Sequence, residues 1–288
     1  MKINIKAPAK INLFLEIVNK RSDGYHNLKS IMQTISLYDE LSFESVNHMD
    51  HRKIFLKCND NSIGTNETNI VYKTALAVKT YFNITKGAEI CVRKKIPIGA
   101  GLGGGSSDAA ATLKALVKLW NIKTTKTELE QIAVKLGADI PFFLTGGTAL
   151  CEGVGEIVTQ LKSIKKLNLV LVNPGYGIST AKVYKKIKFP LTNQKRIHTI
   201  RYLVCSGFFS TQDAFHSCFN RLEEFVFPDY PEISKIKNIL NGLGCVSFMS
   251  GSGATVFGIV GHNSKIEAIQ HNLKKYNWKT WFVTTTRS

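Results

Sequence analysis

The chain has 288 residues and a formal net charge of +17, from 38 Lys and Arg against 21 Asp and Glu. With 44% hydrophobic and 20% charged residues it can bury a sizeable core as one body of two domains, and no apolar run approaches the roughly 18 residues of a membrane span. Six cysteines (Cys58, Cys91, Cys151, Cys205, Cys218, Cys245) lie far apart without a C-x-x-C pair, which excludes a disulfide framework or zinc ribbon and fits reduced thiols in a cytosol.

The N-terminus alternates, with Ile3 and Ile5 on one face, and lacks the apolar block of a signal peptide. This predicts a first strand interrupted at Pro8, followed by a second alternating stretch, Lys10 to Ile17. There Ile11, Leu13, Leu15 and Ile17 share one face and Lys10 and Asn12 the other. A lysine beside an asparagine suits an anionic or hydroxylated ligand; an ordinary exposed strand face accounts for the pattern equally well. Arg21-Ser-Asp-Gly-Tyr-His26 is a turn ending in an aromatic and a histidine. Residues 46–69 are polar and read as loops, and a helix is predicted from Ile70 to Phe82 with Val71, Thr74, Ala75 and Val78 on its inner side.

Next comes the densest signal. A strand over Ala88–Arg93 runs into Pro97-Ile-Gly-Ala-Gly-Leu-Gly-Gly-Gly-Ser-Ser-Asp-Ala-Ala-Ala111, with five glycines in seven residues, and a helix predicted to start near Ser106. Strand, glycine loop and helix N-terminus together make an anion site, because glycine lets backbone N–H groups approach phosphate oxygens. The alternative is a flexible surface loop. Gly99, Gly101 and Gly104 satisfy G-x-G-x-x-G, but no acidic residue follows at the distance a dinucleotide fold requires, and no lysine follows as in G-x-x-x-x-G-K-[ST].

A further helix is predicted behind a capping box, Thr127-Glu-Leu-Glu130, ending at Gly137. Asp139 follows among apolar neighbours in Gly137-Ala-Asp-Ile-Pro-Phe-Phe143, where Pro141 favours an extended Ile140; an aspartate here caps a turn or occupies a shaped, partly desolvated position. A hairpin (Thr148–Cys151, Ile157–Leu161) closes the first domain, and the basic stretch Lys162–Lys166 marks the boundary, giving domains 1–162 and 163–288. Then come a buried-type strand over Leu167–Val172, a loop, and Thr180 and Tyr184 one helical turn apart, on what is otherwise a surface helix. Residues 190–212 show no pattern and are assigned no structure. An amphipathic helix around Ile233, Ile236, Ile239 and Leu240, the turn Met249-Ser-Gly-Ser-Gly-Ala-Thr-Val-Phe257, a helix over Ile266–Tyr276 and a strand over Trp281–Thr284 complete the chain. Its scattered lysines form no basic helix or basic-aromatic motif; a solvated basic surface or steering of polyphosphate substrates accounts for the charge.

The glycine loop resembles the P-x-x-x-G-L-G-(G/S)-S-S-x-A-A signature of the GHMP kinases, and Met249–Phe257 resembles their third motif. Pro8-Ala-Lys-Ile-Asn-Leu-Phe-Leu, Arg21-Ser-Asp-Gly-Tyr-His and Leu37-Tyr-Asp-Glu-Leu are together similar to the subfamily that acts on 4-diphosphocytidyl-2-C-methyl-D-erythritol. The resemblance implies an α+β, two-domain GHMP kinase fold. Its N-terminal domain is ribosomal-protein-S5-domain-2-like, its C-terminal domain ferredoxin-like, and the active site lies between them. It implies ATP with Mg2+ as cofactors, and ATP-dependent phosphorylation of the substrate's 2-hydroxyl in the non-mevalonate route to isoprenoid precursors.

By the same resemblance Asp139 is the catalytic base and Lys10 stabilises developing charge. Asn69, Ile70, Lys94, Pro97, Gly99, Gly101, Leu102, Gly103, Gly104, Gly105, Ser106 and Ser107 hold the nucleotide. Asn12, Tyr25, His26, Thr180 and Tyr184, with Asp139, hold the substrate, and no residue is assigned as a metal ligand. Arg221 stands where the family has an aspartate, so no acidic role carries to it. The implied protein is cytoplasmic, a monomer or weak homodimer, with no nucleic-acid or membrane partner. Two rivals remain: another GHMP small-molecule kinase, such as a homoserine kinase, and a basic nucleic-acid-binding protein on the same first-domain fold.

Overall fold

The structure is a computed structural model that describes residues 1–46, 52–189, 197–206, 213, 217–261 and 266–287. Backbone contacts divide the chain into two compact units of interleaved stretches: Met1–Ala9, Leu37–Ile96 and Gly103–Thr145 in the first, Lys10–Ser36, Pro97–Leu102 and Gly146–Ser288 in the second. Two long strands, β1 (Lys2–Lys20) and β2 (His26–Ser45), have residues in both. Pro8 does not interrupt β1 as expected, since a proline is tolerated in a strand wherever its nitrogen need not donate.

In the first unit β2 pairs antiparallel with β4 (Ala88–Arg93), from Glu40 opposite Arg93 to Ser45 opposite Ala88. Along the other edge of β4 runs β3 (Ile54–Cys58), in parallel. This strand lies within the stretch expected to be loop; five residues between polar turns give too short a periodic signal. Four helices follow: α1 (Ile70–Tyr81), α2 (Gly104–Leu119), α3 (Lys126–Leu136) and α4 (Ile140–Thr145). On α1 the buried residues are Val71, Thr74, Ala75 and Val78, as the 3.6-residue period requires.

Two helix starts differ from expectation. The capping box of α3 is Thr125 with Glu128, two residues earlier than read, because Thr125 is the residue with extended backbone and a free hydroxyl for the Glu128 N–H. Ile140 is helical, not extended: Pro141 sits in the first turn of α4, where a missing N–H costs nothing.

The second unit contains β5 (Thr148–Gly153) and β6 (Ile157–Gln160), the expected hairpin, with β5 antiparallel to β2. Its other sheet has the order β11–β7–β10–β9, built from β7 (Asn168–Asn173), β9 (Cys245–Met249), β10 (Val256–Val260) and β11 (Lys279–Thr284). All three pairings are antiparallel, and with α8 (Pro231–Gly242) and α9 (Ile266–Leu273) this is the ferredoxin-like arrangement. Between β7 and α8 in the chain lie α5 (Thr180–Lys185), α6 (Ile197–Ser206), β8 (Phe219–Asn220) and α7 (Glu223–Val226). The helix α6 falls in the stretch assigned no structure, the rest of which lies outside the described residues.

One core joins Val170, Val172, Ile178, Val183, Ile236, Leu240 and Met249 to Leu15 and Ile17 of β1. On this unit β1 pairs in parallel with β8, Phe14 opposite Phe219. Beside that pair, Arg221 grips Glu16 with two parallel bonds (Nε to Oε1 2.7 Å, Nη2 to Oε2 2.8 Å), both side chains buried. Its Nη1 donates to Glu224 at 2.6 Å, and its guanidinium lies 4.7 Å from the Phe219 ring. Arg221 is thus a buried cation neutralised from two sides.

Candidate functional site

In the second unit Lys10 leaves β1 almost wholly buried, 3% exposed, and its ammonium donates to Asn12 Oδ1 at 2.6 Å. Asn12 Nδ2 donates to Ser30 Oγ at 2.8 Å, and Ser30 donates onward to the Phe14 carbonyl at 2.7 Å. Lys10 and Asn12 are thus one inward-facing relay, which rules out the exposed strand face.

The front half of the glycine loop is walled by two other backbone turns. Ile178 N–H donates to the Gly99 carbonyl at 3.0 Å, Ser250 Oγ to the Gly101 carbonyl at 2.9 Å and Thr255 N–H to the Ala100 carbonyl at 3.3 Å. Gly101 has φ +75°, and a Cβ built there would lie 2.0 Å from the Ser250 carbonyl oxygen. A Cβ at Gly251 would come within 3.2 Å of Lys10 Nζ, so both turns and the ammonium converge. The third glycine motif, between β9 and β10, is therefore the wall of the second. Thr180, first residue of α5, shares a 2.8 Å hydrogen bond with Ser252 of that same turn.

The two residues of the turn after β1 expected to hold substrate divide. Asp23 shapes this turn, accepting from Arg21 and from the Tyr25 N–H at 3.1 Å, and leaves the Tyr25 ring 65% exposed. His26 points inward, its ring 5.4 Å from Tyr184 and stacked 5.9 Å from Phe189. Its buried Nε2 has no partner, and burial, helped by the charge of Lys20, holds its pKa below the usual histidine value. The imidazole is neutral at pH 7, with a ring nitrogen left over for a ligand.

In the first unit the back half of the loop becomes α2. The helix starts at Gly104, not Ser106, because Gly103 takes the left-handed N-cap conformation (φ 69°). No side chain caps it and its first turn holds no acid, whereas Asn69 caps α1 and Thr125 caps α3. The first N–H groups of α2 are left for an anion. Gly105 is exposed and Ser106 half-buried, while Ser107 is buried with its hydroxyl unpartnered. Asn69 uses both ends of its amide, accepting from Val71 N–H and donating to the Gly64 carbonyl, each at 2.8 Å. Ile70 borders Gly105, whose built Cβ would lie 3.7 Å from Ile70 Cγ2.

Lys94 lies beneath the loop. Its ammonium binds Asp39 and Asp108, the latter at 2.6 Å, with 8% of its side chain exposed. Burial works against its charge, yet the two carboxylates outweigh it and raise its pKa. Sequence reasoning missed both partners, although the signal was present. Asp39 alternates with Leu37, Leu41 and Phe43 on the buried face of β2, and Asp108 precedes buried Thr112 and Ala115 by one and two turns. Asp139 sits half-buried between Gly137, which ends α3, and the first residue of α4.

The chain matches two family models, GHMP kinases N terminal domain over residues 69–147 and GHMP kinases C terminal over residues 211–279. It is 41% identical to the 4-diphosphocytidyl-2-C-methyl-D-erythritol kinase of Clostridium beijerinckii, covering 99% of this chain and 100% of that one. Its identity to the enzyme of the same name from Bacillus cereus is 38%, over 96% and 94%. A crystal structure of 4-(cytidine 5'-diphospho)-2C-methyl-D-erythritol kinase superposes with TM-score 0.79 at 30% identity, covering 99% and 100%. The mevalonate kinase of Methanococcus jannaschii shares the fold, with TM-score 0.76 at 17% identity over 100% and 99%.

Proposed function

We infer how this site works from what the chain is: it belongs to the 4-diphosphocytidyl-2-C-methyl-D-erythritol kinase family within the GHMP kinases. Its reaction is ATP-dependent phosphorylation of that substrate's 2-hydroxyl in isoprenoid precursor synthesis. The observation that carries the residue roles is the uncapped start of α2 behind a glycine turn.

There the N–H groups of Gly103 to Ser107 take the ATP phosphates, with Pro97, Gly99, Gly101 and Leu102 shaping the turn. Asn69 and Ile70 border the nucleotide, and Lys94 serves it from beneath. Phosphoryl transfer asks for positioning and charge neutralisation more than covalent help. Among the described residues no three His, Cys, Asp or Glu side chains gather to hold a metal. Held with the triphosphate at the Gly103–Ser107 turn, Mg2+ would neutralise the phosphate oxygens. Asp139 takes the proton of the acceptor hydroxyl, and Lys10, fixed by Asn12, offsets the charge that develops. Asn12, Tyr25, His26, Thr180 and Tyr184 hold the cytidine diphosphate end. The division into 1–162 and 163–288, a cytoplasmic location and a monomeric or weakly dimeric state are part of the same reading; no described helix is long and apolar enough to cross a membrane.

Coupled ADP release over a panel of 4-diphosphocytidyl-methylerythritol, homoserine and mevalonate tests the acceptor, with turnover expected on the first alone. Turnover on another acceptor would reassign the site within the superfamily, and salt-sensitive RNA binding with no turnover would overturn it. Lys10→Ala should lower kcat by about 10²–10³-fold with ATP affinity retained. Near-normal turnover in that variant removes Lys10 from the chemistry.

A further inference from the structure

Beneath the first turn of α2 lies a charge cluster that the transfer chemistry does not use. Two buried carboxylates, Asp39 at 0% and Asp108 at 3% exposure, share the one ammonium of Lys94. With all three ionised the cluster carries an excess negative charge, directly under a turn that binds anions. A Cβ at Gly104, the first residue of α2, would lie 3.3 Å from Lys94 Nζ, with Ile96 Cγ2 beside it at 3.0 Å, so the cluster lies next to the backbone of the turn.

The hydrogen bonds are unevenly shared. Asp39 accepts from Lys94 and from the backbone N–H groups of Lys95 and Ile96, at 2.5 and 2.9 Å, so both its oxygens are engaged. Asp108 accepts from Lys94 through Oδ2 alone, and its buried Oδ1 has no partner. A proton can therefore join Asp108 Oδ1 without displacing any hydrogen bond, which is not true of Asp39. The charged groups that bear most on Asp108 are Lys94, just past the end of β4, and Asp39 from β2.

We propose that Asp108 is a positioning residue for the nucleotide: with Asp39 it fixes Lys94 beneath the glycine turn, and it takes a proton from solvent when phosphates occupy that turn. The proposal rests on the reading of the turn as the ATP phosphate site. Burial pushes the Asp108 carboxyl up to about 7, Lys94 opposing and Asp39 adding to the push. An arriving polyanion pushes in the same direction, so the bound state holds more protons than the free one. By linkage, nucleotide affinity then falls as pH rises above 7, by up to about tenfold per pH unit for one proton.

Isothermal titration of the full chain with Mg2+ and a non-hydrolysable ATP analogue, at pH 8 in two buffers of different protonation heat, reads the uptake directly. The intact protein should take up close to one proton per nucleotide, and Kd should weaken by about 3–10-fold from pH 7 to pH 8. Asp108→Asn should abolish both effects, whereas loss of a merely structural contact would shift Kd equally at all pH values. If Asp108→Asn does not fold, Asp39→Asn replaces it, and with the second carboxylate gone the uptake should move to lower pH. No uptake by the intact protein, or equal uptake in Asp108→Asn, overturns the proposal. Failure of the intact protein to bind nucleotide at either pH overturns the reading of the turn itself.

Discussion

Asp139→Asn should lower kcat by roughly 10²–10⁴-fold, the range for removal of a general base, while nucleotide binding and the fold survive. The aspartate stands at a junction built to hold it still. Gly137 ends α3 with its N–H on the Ala133 carbonyl at 3.1 Å, and the Ile140 N–H returns to the Gly137 carbonyl at 3.2 Å. Three residues, Gly137 to Asp139, separate the helices, and the Ile140 that follows is buried. Asparagine keeps the volume and removes the negative charge, and with it the capacity to accept a proton. Steady-state kcat beside an independently titrated ATP affinity makes the measurement. A loss of less than about threefold would mean that positioning and charge neutralisation carry the transfer, and that Asp139 is not the base.

The second large effect is on the scaffold. Gly101→Ala forces a side chain into a left-handed backbone at φ +75°, which alone costs about 1–2 kcal/mol. The new Cβ would also meet the Ser250 carbonyl oxygen at 2.0 Å and the Gly253 carbonyl oxygen at 3.1 Å, both backbone atoms that cannot swing aside. A total destabilisation of at least about 3 kcal/mol is expected, measured as a shift in urea midpoint, with loss of nucleotide binding in whatever remains folded. Gly24→Ala is the control, with φ +86° and nothing within 4 Å of the added atom; it should show the backbone strain alone. Equal effects at the two positions would mean that the contact between the glycine turns does not constrain the loop.

How much of this was legible in the sequence differed with the range of the forces involved. Periodicity placed α1 and its buried face, β4, the β5–β6 hairpin, β7, α8, α9 and β11, but left β9 and β10 on either side of the last glycine turn unassigned. It placed helix starts less well. The start of α2 is expected near Ser106, whereas the chain ends its turn with a left-handed glycine and no side-chain cap. β1 runs through Pro8, and β3 is too short for its pattern to stand out.

In the site, motif spacing picked out the glycine turns, Lys10, Asn12, His26 and Asp139, since those depend on local residue type. It did not reveal which cation neutralises the buried acids Asp39 and Asp108, 55 and 14 residues from Lys94, because periodicity shows a side chain's burial and not its partner. Nor did it show Phe189 stacked on His26, which only the fold brings together.

The pairing of Glu16 with Arg221 has a consequence for the order of events at the ribosome. The partners are 205 residues apart in sequence. At about 5–20 residues per second, Glu16 leaves the exit tunnel roughly 10–40 s before the guanidinium that will neutralise it. Until then the inner half of β1 carries a charge that cannot be buried, and β8 does not yet exist to pair with Phe14. The nascent strand bearing Lys10 and Asn12 must therefore stay hydrated through most of translation, and the arrival of Arg221 sets when it can close.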